Sequence, residues 1–362
     1  LAWICLLPIL AVVLCSGNDA TSRRNLLLGG LTLGLVASGF RVYWIVETLG
    51  SYGGLGPAEA TATTCLLILY LALYPMFFTR LWAGAWRQSQ SGSGAVLPWL
   101  GAATWAILDW VQTWMLSGFP WAVLGTTQYR VPLISSLAAL VGVHGLSFVI
   151  VAFNCGLALI LVTRRQRLAG AFAVVAVMAL ICGWGASYLH TMSEETPDPP
   201  LRIGIVQGNI RQDVKWEPGW KDTTTEHYVD LSRRLARESG PIDLILWPET
   251  ALPFRFDDTA HTPYRQAVTQ LAVELDTPLF VGSLGTSAAS GSPGLYNRAF
   301  LIDRHGRLAG SGDKVHLVPF GEYLPFPALF DYMRGLTAQS GSFDAGEGHA
   351  VISLANRNPD LP

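Results

Sequence analysis

Charge is scarce in this chain. It has 24 Lys and Arg and 26 Asp and Glu in 362 residues, 14% in all, where soluble domains carry about 25%. The net charge of −2 offers no basic face to a nucleic acid, and none is expected as a partner. Cysteine is scarcer still and unevenly placed. Cys5, Cys15, Cys65, Cys155 and Cys182 are the five in the chain. Their spacings suit neither a metal site nor a disulfide framework, and they read as small apolar residues inside membrane helices. Residues 201–362 hold no cysteine. There is no metal-ligand cluster and no glycine-rich phosphate loop, so neither metal nor cofactor is expected. An initiator Met is lacking too: Leu1 opens in mid apolar run, and Asn358-Pro359-Asp360-Leu361-Pro362 carries no cap or stop signal. This reads as a fragment open at both ends.

What the chain has in quantity is apolar sequence, 51% of its residues. A membrane span needs about 20 mainly apolar residues. Six stretches qualify or nearly do: about 1–15, 25–40, 61–80, 96–116, 133–162 and 168–189. Arg23 and Arg24, then Arg80 and Arg87, then Arg164, Arg165 and Arg167 make every second loop basic. The positive-inside rule puts those loops in the cytoplasm. The segment after the last span then emerges on the far side, in a bacterium the periplasm, from a multi-pass inner-membrane protein. The expected organisation is a helical membrane bundle at 1–190, a polar linker at 191–200 and a periplasmic domain at 201–362.

Within the bundle, Trp44 and Trp114 read as interface anchors. Asp109 lies inside a span, where an ionisable side chain is costly and faces the bundle interior; a structural pairing and a function are both open for it. Asn154 suits an interhelical hydrogen bond, and His144 suits packing.

The second half alternates strand and helix patterns. Residues 201–207 read as a buried strand, Thr223–Glu238 as a helix stopped by Gly240-Pro241, and 242–247 as a second strand. A helix is predicted at 262–275, with strands at 279–282 and 296–302 and a turn at 303–306. This predicts an α/β domain.

Its chemistry gathers at two places. Glu249 ends an apolar strand in Leu246-Trp247-Pro248-Glu249, and Lys314 and Glu322 flank Val315-His316-Leu317-Val318-Pro319-Phe320-Gly321. A plain salt bridge would account for any one such pair. The rigid Trp-Pro bend before Glu249 and the apolar Ala251-Leu252-Pro253 after it point further. They suggest a carboxylate in an apolar pocket, with a raised pKa, acting as a general base. Lys314 would be a fixed positive charge for a developing oxyanion. The missing member is a nucleophile.

These residues carry a resemblance. Val206-Gln207-Gly208-Asn209-Ile210, Lys215-Trp216, Trp247-Pro248-Glu249-Thr250-Ala251-Leu252-Pro253, Tyr296-Asn297, Lys314 and His316 to Pro325 together resemble the apolipoprotein N-acyltransferase family. So do Gly118-Phe119-Pro120-Trp121 and Gly142-Val143-His144-Gly145-Leu146-Ser147-Phe148 in the membrane half. The resemblance implies a multi-span bundle carrying a nitrilase-type (carbon-nitrogen hydrolase) α-β-β-α sandwich, incomplete here at its C-terminal end. It implies a Glu-Lys-Cys triad that moves an acyl chain from a phospholipid, through a thioester, to the N-terminal amine of a diacylglyceryl apolipoprotein. By position Glu249 resembles the base, Lys314 the oxyanion-stabilising lysine and Glu322 the family's second glutamate. Trp216 and Trp121 resemble aromatics near the lipid entrance, and Gln212 and Asn297 are weaker carry-overs. The family's cysteine is expected beyond Pro362.

Two rivals share these motifs: a membrane-tethered amidase or nitrilase that passes the acyl group to water, and a non-catalytic membrane protein that binds lipoproteins. The glycine-rich stretches 50–57 and 335–348 read either as lids over bulky substrates or as ordinary loops.

Overall fold

The computed structural model describes residues 1–51, 53–89, 94–194, 201–217, 219–287, 294–319, 321–323 and 343–354. The chain divides into two compact units, one of residues 1–50 and 56–195 and the other of 51–55 and 196–362.

The first unit is helical: α1 (Leu7–Cys15), α2 (Ala20–Val42), α3 (Ile45–Ser51), α4 (Pro57–Ser89), α5 (Leu97–Gln112), α6 (Pro132–Ser135), α7 (Ala138–Val162) and α8 (Arg167–Glu194). Among the described residues, five helical stretches are long and apolar enough to cross a membrane: Ala20–Val42, Pro57–Ser89, Gly94–Gln112, Ala138–Val162 and Arg167–Met192. The stretch 1–15, expected as a further span, holds the shorter helix α1. Only its nine residues Leu7–Cys15 are helical, and at 1.5 Å per residue they rise about 14 Å against a hydrocarbon core of roughly 30 Å. The last helix also runs on to Glu194, through residues expected in the linker.

Lipid gives helices little hydrophobic reason to associate, so close packing has to do it. The buried stripe of α2 is Leu26, Gly30, Gly34, Ser38 and Val42, four apart and mostly small. A Cβ on Gly34 would lie 2.6 Å from the Ala72 Cα of α4, and one on Gly30 would lie 2.9 Å from Met76 Cα. Helices α7 and α8 meet in the same way at Gly156 and Gly170. Asn154 is fully buried; it accepts from the Leu6 amide at 3.1 Å and donates to the Ala2 carbonyl at 3.0 Å. Asp109 is buried as expected, with Oδ2 lacking a hydrogen-bond partner among the described residues.

The second unit runs β1 (Ile203–Ile205), α9 (Gln212–Lys215), α10 (Trp220–Ser239), β2 (Leu244–Leu246), α11 (Thr262–Glu274), β3 (Leu279–Ser287), β4 (Gly294–Ile302) and β5 (Leu308–Asp313). The described strands form one five-stranded sheet in sequence order. β1, β2 and β3 are parallel, and β3, β4 and β5 antiparallel. Helices α10 and α11 pack on it through a core that includes Tyr228, Ile245, Trp247, Leu252, Val268, Leu271, Val281 and Phe300. Burying each large apolar side chain stabilises the unit by about 1.5–3 kcal/mol. Helix α10 ends at Gly240, whose φ of 71° is open to glycine at little cost. The first strand departs from expectation: Ile203 and Ile205 are 46% and 74% exposed. Among the described residues it pairs with β2.

Candidate functional site

The site forms where strand ends and the turns after them converge. Ile245 and Leu246 of β2 pair with Leu279 and Phe280 of β3, which directs the following turn, Trp247 to Leu252, across β3. Gly282 lets that turn approach: a Cβ there would lie 2.3 Å from Pro248 O and 2.8 Å from Glu249 Cα. Thr250 takes φ +49°, an uncommon conformation for a β-branched residue that costs of order 1–3 kcal/mol. The strain sits beside Glu249, where the chain must turn sharply to present the carboxylate. Behind it, Trp247 is anchored by its indole, which donates to Ser232 Oγ at 2.9 Å, and by Tyr228, whose ring centroid lies 5.0 Å away.

Four polar side chains meet here. Lys314 follows β5, and its Nζ donates to Glu249 Oε1 at 3.1 Å and lies 3.0 Å from the Glu322 carboxylate. Asn297 of β4, 6% exposed, donates through Nδ2 to Glu249 at 2.5 Å and to Glu322 at 2.9 Å. Glu322 is fixed in turn by the Val318 amide, which donates to its Oε2 at 2.8 Å, and by its own amide, which donates to Val318 O at 2.9 Å. One ammonium and one amide thus lie between two carboxylates.

The electrostatics correct one expectation. The Glu249 carboxyl is held below its ordinary range, not raised. Burial pushes it up, but the bond and charge of Lys314, the bond from Asn297 and the charge of Lys215 outweigh burial. The carboxylate is also 60% exposed, so the apolar residues after it do not enclose it. For Lys314, burial lowers the ammonium, but the bonds to Glu322 and Glu249 outweigh it and the net shift is upward. It stays charged at neutral pH.

Of the residues singled out by sequence, Glu249, Lys314, Glu322 and Asn297 come together. Gln212 opens α9 and Trp216 caps it; neither bonds to the four, but Lys215 between them contributes to the field at Glu249 and lies 6.0 Å from the Trp216 ring. Trp121 belongs to the other unit, half exposed, with Trp44 5.2 Å away. Of the stretch 335–348, residues 335–342 lie outside the described residues, as do Phe320, Leu324 and Pro325. A contribution that sequence reading missed is Gly282; its signal was a glycine inside a strand, which marks a close backbone approach.

Residues 1–156 match the family described as apolipoprotein N-acyltransferase N-terminal domain, and residues 202–355 match carbon-nitrogen hydrolase. Three curated proteins named apolipoprotein N-acyltransferase are similar to the chain. One from Geobacter metallireducens is 34% identical, covering 97% of this chain and 66% of its own length. One from Methylococcus capsulatus is 31% identical, with 92% and 63% covered. One from Brucella melitensis is 30% identical, with 95% and 65% covered. The chain therefore spans a little under two-thirds of the length of these relatives. A solved carbon-nitrogen hydrolase from Helicobacter pylori aligns at 17% identity over 33% of this chain and 40% of its own, with a TM-score of 0.26. With one half matching the N-terminal domain and the other the hydrolase domain, the chain belongs to the apolipoprotein N-acyltransferase family.

Proposed function

We propose that the full-length protein transfers an acyl chain from a phospholipid to the N-terminal amine of a diacylglyceryl apolipoprotein. The observation that carries this reading is the Lys314 ammonium shared between the carboxylates of Glu249 and Glu322. In the proposed reaction Glu249 takes the proton of a cysteine thiol, and the thiolate attacks an ester carbonyl of the phospholipid. Lys314 stabilises the oxyanion, the ester C–O bond breaks, and the lysophospholipid leaves with the proton. The apolipoprotein amine then attacks the thioester, Glu249 takes its proton, and the thiolate is expelled and reprotonated. Glu322 and Asn297 hold Lys314 and Glu249 in place.

The depressed Glu249 carboxyl sets a condition on this mechanism. A thiol, ordinarily a far weaker acid than a carboxyl group, gives up its proton still less readily to a carboxylate held below its ordinary range. Lys314 is what lowers Glu249 most among its partners. As Lys314 turns from Glu249 toward the oxyanion, Glu249 becomes the stronger base at the step that needs one. The thiol is taken to come from the part of the protein outside this sequence, since residues 201–362 contain none.

The membrane helices fit the substrates. Drawing a lipid chain into water costs about 0.8 kcal/mol per CH₂, and a catalytic domain carried by membrane helices spares that. Orientation follows from the arginines. Arg23 and Arg24 stand at the start of α2, Arg80 and Arg87 in the later part of α4, and Arg164 and Arg165 between α7 and α8. Five alternating spans then keep all of them on the cytoplasmic side and the hydrolase domain on the periplasmic side of the inner membrane.

The test is mass spectrometry of a lipoprotein N-terminus from bacteria depleted of their own acyltransferase and supplied with the full-length gene. An N-acylated cysteine is expected. Free fatty acid with an unmodified amine would identify a hydrolase, and neither product would leave a binding protein.

A further inference from the structure

Strand geometry sends alternate side chains to opposite faces. Asn297 and Lys314 face the site, so their neighbours Arg298 and Asp313, register partners across β4 and β5, face the other way. There Arg298 uses all three guanidinium nitrogens. Nε and Nη2 donate to the two oxygens of Asp313 at 2.5 and 2.9 Å, a paired fork. Nη1 donates to Asp257 Oδ2 and to the Thr286 carbonyl, both at 3.1 Å. Asp257 also accepts from the Thr286 amide at 2.9 Å. The guanidinium side chain is 14% exposed. Room for it is built in: a Cβ on Gly285 would lie 2.6 Å from Arg298 Cδ. On its other flank the Tyr296 ring centroid lies 5.4 Å from Arg298 Cζ.

The two aspartates belong to the two segments that carry the chemistry. Asp313 directly precedes Lys314. Asp257 ends the segment that starts at Glu249 and runs parallel to β3, where Leu252 and Phe256 donate to Gly282 O and Leu284 O. One planar cation therefore ties the Glu249 segment to the Lys314 strand from behind the site. Charge-assisted paired bonds of this kind fix direction as well as distance, which a lysine cannot reproduce.

We propose that Arg298 is a positioning residue for the acyl transfer, setting the separation of Glu249 and Lys314 from the reverse face of the sheet through Asp257 and Asp313. It touches neither substrate nor reacting atoms. The assignment rests on the proposed reaction for its consequence in catalysis, but its geometric content does not.

The test uses the full-length protein in lipid nanodiscs, with ¹³C-labelled glutamate and the variants Arg298→Leu and Arg298→Lys. In the unaltered protein the Glu249 carboxyl titrates below the ordinary glutamate range. In Arg298→Leu it moves up toward that range as Lys314 drifts away, and in Arg298→Lys, which keeps the charge and loses the fork, it moves part of the way. The acid limb of kcat/KM moves in the same direction. kcat falls by about 10²-fold, the order expected of a 1 Å misplacement, while KM for the phospholipid holds. An unshifted Glu249 titration in either folded variant overturns the proposal. So does a fall in activity that tracks only a lowered melting temperature with the pH profile intact. If Arg298→Leu does not fold, Arg298→Lys decides alone. Failure of the acyl-transfer reading would show separately, as no N-acylated product from the unaltered protein, and leaves the titration comparison standing.

Discussion

The backbone amide of Lys314 donates to the carbonyl of Asn297 at 2.9 Å, so the ammonium and the amide that hold the two carboxylates are anchored to each other before their side chains meet anything. The consequence is a rigid pair. Glu249 and Glu322 arrive on separate turns and are received by donors whose spacing is already set by β4 and β5. Preorganisation of this kind sets the donors in place beforehand, so that only the Lys314 ammonium has to turn as charge develops.

Asn297 is the less obvious member of that pair, and its removal is informative. Asn297→Leu leaves Glu249 and Glu322 one donor short each, and a hydrogen bond to a charged group contributes about 1.5–3 kcal/mol. Acyl transfer in the full-length protein should fall by ten- to a hundredfold, measured as N-acylated peptide per unit time. Circular dichroism of the variant should match the parent. Unchanged turnover would show that Lys314 alone holds the carboxylates.

The pH behaviour follows from the signs. Glu249 has a folded pKa below its unfolded value, so its stabilising contribution is present above the unfolded pKa and lost as pH falls through the folded one. Lys314 has a folded pKa above its unfolded value; its contribution is complete below the unfolded pKa and lost as pH rises through the folded one. The pair is therefore intact across the neutral range and opens at both extremes. Lys314→Met should move the Glu249 titration upward, read by carboxyl ¹³C shifts, and abolish acyl transfer at every pH. A Glu249 titration that stays put would mean that Lys215 and Asn297 set it without Lys314.

Much of this was legible in the chain, and what was not has a physical cause. Glu249, Lys314 and Glu322 stand at strand ends or in turns with proline or glycine close by, where local sequence constrains direction, whereas Asn297 lies inside β4 and came only from the family resemblance. The order of β1 to β4 with α10 and α11 was legible because Gly240, Gly306 and the Asp303 turn punctuate it, while α9 and β5 were not read, the glycines of β5 suggesting a turn. The ionisation of Glu249 was read with the wrong sign. Its sequence neighbours Ala251 and Leu252 are apolar, but its spatial neighbours Lys314 and Lys215 are cationic, and a pKa answers to the second set. Arg298 was invisible because its partners Asp257 and Asp313 become neighbours only once β3, β4 and β5 pair.

Gly282 is the point where β3 admits the Glu249 turn. Gly282→Ala places a methyl 2.3 Å from Pro248 O, so the turn must retreat. Overpacking of this sort costs about 1–3 kcal/mol. The melting temperature of the full-length protein should drop, and acyl transfer should fall further than the stability loss explains, because the carboxylate itself is displaced. Thermal melts alongside turnover measure both. A variant with parental turnover would show that the turn can shift without moving Glu249.

The membrane unit offers a comparison within one helix. Gly34 of α2 abuts the α4 backbone, its Cβ position 2.6 Å from Ala72 Cα, while a Cβ on Gly39 would meet nothing within 4 Å. In lipid, where association depends on close backbone approach, the two positions should respond oppositely to one substitution. Gly34→Leu forces α2 and α4 apart and should destabilise the unit by about 1–3 kcal/mol, read as a lower melting temperature in detergent. Gly39→Leu adds apolar surface in open space and replaces the poorer helix former, by about 0.5–1 kcal/mol, so the melt should hold or rise. Equal losses at both positions would mean that α2 is held by its length and hydropathy and not by the small-residue seam along Gly30, Gly34 and Ser38.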